Sequence, residues 1–107
     1  MDFETILKEL KDTLLALAKD TFTNFKNEGK KDMLAFLKSA EEKLKRWTLL
    51  LESGAIAADD FEWLVKSQKD LLAMNALYKT GISKIKLGHF KNKVIKTVVN
   101  TIFKLIL

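Results

Sequence analysis

Residues 31–53, KDMLAFLKSAEEKLKRWTLLLES, place Met33, Leu37, Ala40, Leu44, Trp47 and Leu51 at alternating steps of four and three. That spacing returns each apolar side chain to one face of an α-helix, whereas a strand would require strict alternation. Phe36 and Leu50 widen the seam, and Glu41/Lys45 and Glu42/Arg46 stand four residues apart in the favourable orientation on the polar side. Gly54 follows directly, the residue type that most readily adopts the left-handed conformation past a helix C-terminus. A helix over about 31–53 is the anchor of the fold.

Working outward, the preceding residues repeat the pattern. Phe3, Ile6, Leu7, Leu10, Leu14, Leu17, Ala18, Phe22 and Phe25 fall on one side, with Asp2 suited to cap the first free amides. The polar run Asn27–Lys31, with Gly29 at its centre, marks the expected stop of a first helix over about 2–28. A third helix is expected over about 59–80, opened by Asp59, Asp60 and Glu62, whose charge complements the helix dipole. A fourth is expected over about 82–106. Its apolar half carries Val94, Ile95, Val98, Val99, Ile102 and Phe103, and its polar half carries Lys93, Lys96, Asn100 and Lys104. Gly88 is a point where this helix either kinks or begins in earnest. Its β-branched residues lower helix propensity slightly, but a strand would place Lys96 and Val98 on the same face, so the helical period fits better.

The chain contains no proline, so nothing in it forces a helix interior to break. Connections of about two to six residues favour antiparallel neighbours. The expected fold is all-α, a single domain over residues 1–107 built as an antiparallel bundle of four long helices. With 48% hydrophobic and 31% charged residues the chain has the balance of a globular protein rather than a disordered one.

The absence of cysteine excludes disulfides, thiolate metal sites and thiol catalysis, and mildly favours a reducing compartment. The start Met1-Asp2-Phe3-Glu4 lacks the basic and apolar blocks of a signal peptide, and no apolar run approaches membrane-spanning length. A cytoplasmic protein is expected. The sole histidine, His89, falls in phase with the lysines, three residues after Lys86, so neither a Glu-x-x-His di-iron pair nor a hydrolytic triad is assembled around it. Asp59 and Asp60 diverge by about 100° on a helix and serve its dipole rather than a cation. No glycine-rich phosphate loop is present. The residues point to no enzyme, no metal and no cofactor.

Two surfaces remain. In an unbroken third helix Trp63, Met74 and Leu77 share a line opposite the main stripe of Phe61, Leu64, Val65, Leu71, Leu72 and Ala76. Either other elements cover that second line, or it is an interface for a second copy or another protein. Charge is the second signal. Residues 1–70 carry 12 Lys/Arg against 14 Asp/Glu, while residues 71–107 carry seven lysines and no acid, giving the chain its net +5. Lys86, Lys93, Lys96 and Lys104 therefore form a candidate face for an anionic membrane surface or polyanion. One arginine, Arg46, set in the charge-balanced part, and long helices argue against sequence-specific nucleic-acid binding. The expected function is a non-enzymatic, self-associating interaction or assembly protein. The alternative is a membrane-surface or lipid-binding helical protein using its basic C-terminal helix.

Overall fold

A computed structural model describes residues 2–107, which are helical throughout apart from short connections, with no strand among them. The helices are α1 (Phe3–Thr21), α2 (Lys26–Glu52), α3 (Ala58–Lys66), α4 (Asn75–Tyr78) and α5 (Lys84–Ile106), with 3-10 turns at Thr23–Phe25 and Ser67–Leu71. The expected boundaries 82–106 lie close to α5, and the expected end near 53 fits α2, which starts at Lys26 rather than at 31. The boundaries 2–28 and 59–80 need correction.

Asp2 caps α1 as its residue type predicts, accepting from the Glu4 amide at 3.3 Å. The helix stops at Phe22 rather than near residue 28, because Phe22 leaves the helical region (φ −118°, ψ 63°). That departure turns its ring into the core, where it meets Phe90 edge-on at 4.7 Å between centroids. Gly29, expected as a stop, lies inside α2. A Cβ there would stand 3.2 Å from the Ala18 Cβ, so the glycine lets α1 and α2 cross closely. At the other end of α2 Gly54 takes φ 81°, with its amide on the Leu51 carbonyl (3.1 Å) and the Ala55 amide on the Leu50 carbonyl (2.9 Å). Both bonds satisfy carbonyls that the helix end leaves free, the double closure of a Schellman motif.

The segment expected as one helix over 59–80 breaks in the middle. α3 ends at Lys66, a 3-10 turn carries the chain to Leu71, and Met74 adopts the left-handed conformation (φ 51°, ψ 41°) before α4 starts. In an unbroken helix Met74 and Leu77 would point about 140° and about 160° away from Phe61. After the break all three are buried in the same core. The conformation at Met74 costs about 1–2 kcal/mol for a residue with a Cβ. It is offset by the burial of two large apolar side chains, each worth about 1.5–3 kcal/mol.

α2 supports the restart. The Asp32 carboxylate, itself buried, accepts from the Ala76 amide at 3.0 Å and the Leu77 amide at 2.8 Å. Those are first-turn amides of α4, normally capped by a neighbouring residue and here capped from a helix 44 residues away. α5 begins at Ser83, whose hydroxyl accepts from the Lys86 amide at 3.2 Å, and runs through Gly88 as one helix. α1 packs on α2 and α5, α3 packs on α2 and α5, and α4 packs on α2 and α5, enclosing one continuous hydrophobic cluster. Two buried polar atoms in that interior, Thr48 Oγ1 and Gln68 Oε1, have no hydrogen-bond partner among the described residues.

Candidate functional site

The break in the third segment dissolves the face that an unbroken helix would have presented. Met74 and Leu77 are 3% and 0% exposed, so both belong to the core and not to a surface. Trp63 stays outside. It sits on the side of α3 opposite Phe61 and Val65, which are fully buried, and is 70% exposed. The structure therefore does not bring Trp63, Met74 and Leu77 together.

The four lysines singled out on α5 are all exposed. Lys86, Lys93 and Lys104 lie within about 20° of one line along the helix, and Lys96 lies about 80° around from it. Lys86 also places its ammonium 5.5 Å from the centre of the Phe22 ring, within cation–π range. The apolar arc of α5, which begins beside the lysine line at Phe90 and runs through Val94 and Val98 to Ile102 on the far side, is buried against the other helices. Insertion of α5 into a bilayer would withdraw these side chains from the core. No helix among the described residues is long and apolar enough to cross a membrane.

Lys96 also belongs to a feature that exists only once the helices are packed. α3 and the following 3-10 turn run beside α5, and between them lies a groove of about 480 Å³. One wall carries Glu62, Lys66 and Lys69, a spacing of four then three that keeps them on one side of their segment. The other wall carries Asn92, Lys96 and Asn100, each one helical turn from the next, with Ile95 and Val99 between them at the floor. Lys66 is held by Glu62 at 3.3 Å, an exposed pair worth little by itself. Among the described residues Lys69 and Lys96 have no acidic group within 4.0 Å. The groove thus offers two unneutralised ammonium groups, two amides and a short apolar floor.

The periodicity of single helices could not reveal this convergence. Lys66, Lys69, Asn92 and Asn100 each read as ordinary surface residues, and only the packing of α3 on α5 sets them opposite one another. Asp32 was equally hidden. Its one outward sign is position, since an acid shares a helix line with Gly29 and Phe36, both of which are buried. Its carboxylate is already engaged by α4. No group of three or more His, Asp or Glu side chains able to hold a metal ion occurs among the described residues. His89 is exposed on α5, as its phase predicts.

Set against protein-family models, curated proteins and solved structures, the chain matches none of them. Its functional reading rests on its own residues.

Proposed function

We infer that this chain is a non-enzymatic helical interaction protein that pairs with a second copy of itself through the outer face of α3. The observation that carries this reading is Trp63, 70% exposed at the middle of that face. Tryptophan is enriched in interface cores, where its large rigid surface contributes more than most side chains.

The charges around Trp63 suit a two-fold contact. Asp59 and Lys66 are both exposed and stand on the same flank of α3, four residues before and three residues after the tryptophan. When two copies of α3 cross antiparallel about an axis at Trp63, Asp59 of each meets Lys66 of the other. Self-complementarity of this kind is what an isologous dimer requires. Each exposed pair contributes at most about 1 kcal/mol, so orientation comes from the charges and affinity from the tryptophans. α3 has nine residues, which makes the contact small and the pairing reversible.

The architecture behind this face is read as an up-and-down bundle of four segments, α1, α2, α3 through α4, and α5. Phe22 against Phe90, Phe61 against Phe103 and Asp32 against Leu77 support it, because each contact ties the end of one segment to the matching end of an antiparallel neighbour.

Size-exclusion chromatography with light scattering, from low micromolar to about 200 μM at two salt levels, tests the pairing. The expected result is a rise from 12.2 kDa towards twice that mass with concentration. Trp63→Lys should remain monomeric with unchanged helicity. Lys66→Asp should weaken pairing, and the double change Asp59→Lys with Lys66→Asp should restore it. A monomer throughout the range overturns the reading.

A further inference from the structure

We propose that the groove between α3 and α5 is a docking site for an acidic, amphipathic helical segment of another protein. The proposal does not rest on self-pairing, which is centred on Trp63 at the outer face of α3, although Lys66 borders both surfaces.

Shape is the first argument. Asn92 to Asn100 spans about 12 Å of α5, two helical turns, and the facing wall from Glu62 to Lys69 has nearly the same length. A trough of this form between two side-by-side helices receives an apolar stripe repeating at i, i+3/i+4 and i+7, the helix-in-groove mode. Ile95 and Val99, one turn apart and almost wholly buried, leave a narrow apolar strip at the bottom, flanked by the aliphatic stems of the lysines.

Charge is the second. Lys69 and Lys96 stand on opposite walls without acidic partners among the described residues, so carboxylates on both flanks of an entering helix would each find an ammonium group. The wider field agrees, since no acid follows Asp70 in the chain and seven lysines do. A second copy is a poor occupant, because the apolar faces of its own helices are already buried in its own core. A nucleic acid has no use for the apolar floor, and a flat bilayer does not reach the bottom of a groove between helices. Asn92 and Asn100 both donate and accept, which suits side chains on the entering helix better than a run of phosphates.

The test uses the full chain, isotopically labelled, and a synthetic 14-residue helical peptide with leucine at i, i+4, i+7 and i+11 and glutamate on both flanks. A peptide with lysine in place of each glutamate, a 15-nucleotide oligothymidylate and vesicles of phosphatidylglycerol are the comparisons. The acidic peptide should shift the amide resonances of residues 92–100 and 62–69 and bind at least tenfold more tightly than its lysine counterpart. Its affinity should fall severalfold between 50 and 300 mM salt, since exposed charges are screened over about 10 Å at 0.1 M.

Lys69→Glu combined with Lys96→Glu should weaken binding at least tenfold with an unchanged circular dichroism spectrum. Lys86→Glu combined with Lys104→Glu makes the same change in net charge outside the groove and should alter affinity less than twofold. The proposal is overturned if the acidic peptide leaves the groove resonances unmoved at 1 mM. It is also overturned if the two double variants weaken binding equally. Oligothymidylate or vesicles shifting the groove resonances as strongly as the peptide would assign the groove to a polyanion or a lipid instead. The resonances of 92–100 lie away from Trp63, so failure at this groove leaves the mass measurements on Trp63 untouched; those of 62–69 are read in Trp63→Lys, which removes pairing.

Discussion

Residues 58–80 and residues 84–106 are equally long, and local propensity ranks them opposite to what they do. The later segment contains Gly88 and a run of β-branched residues from Val94 to Ile102, yet forms one unbroken helix. The earlier segment is richer in alanine, leucine and methionine, good helix formers, yet splits into α3, a 3-10 turn and the single turn of α4. The difference lies in where the apolar side chains stand around the helix. Those of α5 from Leu87 to Ile102 occupy one arc, so a continuous helix buries them together. Those of 58–80 stand on two opposite lines, and a continuous helix beside a single core would leave Met74 and Leu77 in water. Breaking the helix turns Met74 and Leu77 inward and leaves Trp63 outside. Tertiary burial decides continuity here, and the broken segment depends on outside support that α5 does not need.

Removing that support should have the largest effect. Asp32→Ala leaves the buried amide of Leu77 and the part-buried amide of Ala76 without their acceptor, and a buried unsatisfied group costs about 1–3 kcal/mol. A loss of about 1–3 kcal/mol in urea denaturation is expected. Native-state hydrogen exchange gives the sharper reading. Amides of residues 75–80 should lose protection well before those of 87–102, because local opening draws on the least supported unit. If both sets lose protection together, the two segments form one cooperative unit and the contrast between them fails.

Met74 offers a second way in. Met74→Ala and Met74→Gly both delete the buried side chain, and both should destabilise. In a continuous helix the alanine variant would be the more stable by about 1 kcal/mol. At a left-handed residue the order reverses, since glycine removes a cost of about 1–2 kcal/mol that alanine retains. Chemical denaturation of the pair should therefore favour Met74→Gly by about 1 kcal/mol. Alanine ahead of glycine would mean that, once the methionine is gone, 58–80 anneals into the single helix that its propensity suggests.

These two sites also mark how far the sequence can be read. The seam of α2, the glycine closure at Gly54 and the apolar arc of α5 follow from local spacing, so they are visible in one dimension. The two lines of residues 58–80 were visible as well. Their physical meaning was open, because an apolar line on the far side of a helix is satisfied either by a covering partner or by a break. Choosing between these requires Asp32, whose contact with α4 spans 44 and 45 residues. The stop at Phe22 was hidden for a related reason, since Phe22 and Phe25 continue the helical period of α1 and only the position of Phe90 shows where the ring must go. The groove is least legible of all, as its two walls lie some thirty residues apart and no spacing relates Lys69 to Lys96.

The smallest expected effect concerns two glycines inside helices. Gly88 in α5 has no atom within 4 Å of the place where a Cβ would stand. Gly88→Ala therefore gains helix propensity without collision and should stabilise by about 0.5–1 kcal/mol. Gly29 in α2 would gain the same propensity, but its new Cβ meets the Ala18 Cβ at 3.2 Å, and that atom cannot rotate aside. The helices must part by a few tenths of an ångström, a strain that consumes the gain. Thermal denaturation should thus raise the midpoint for Gly88→Ala by several degrees and leave Gly29→Ala level or lower. A gain at Gly29 equal to that at Gly88 would show that α1 and α2 yield at their crossing. The tight packing that overrides propensity in residues 58–80 would then not extend to the α1–α2 crossing.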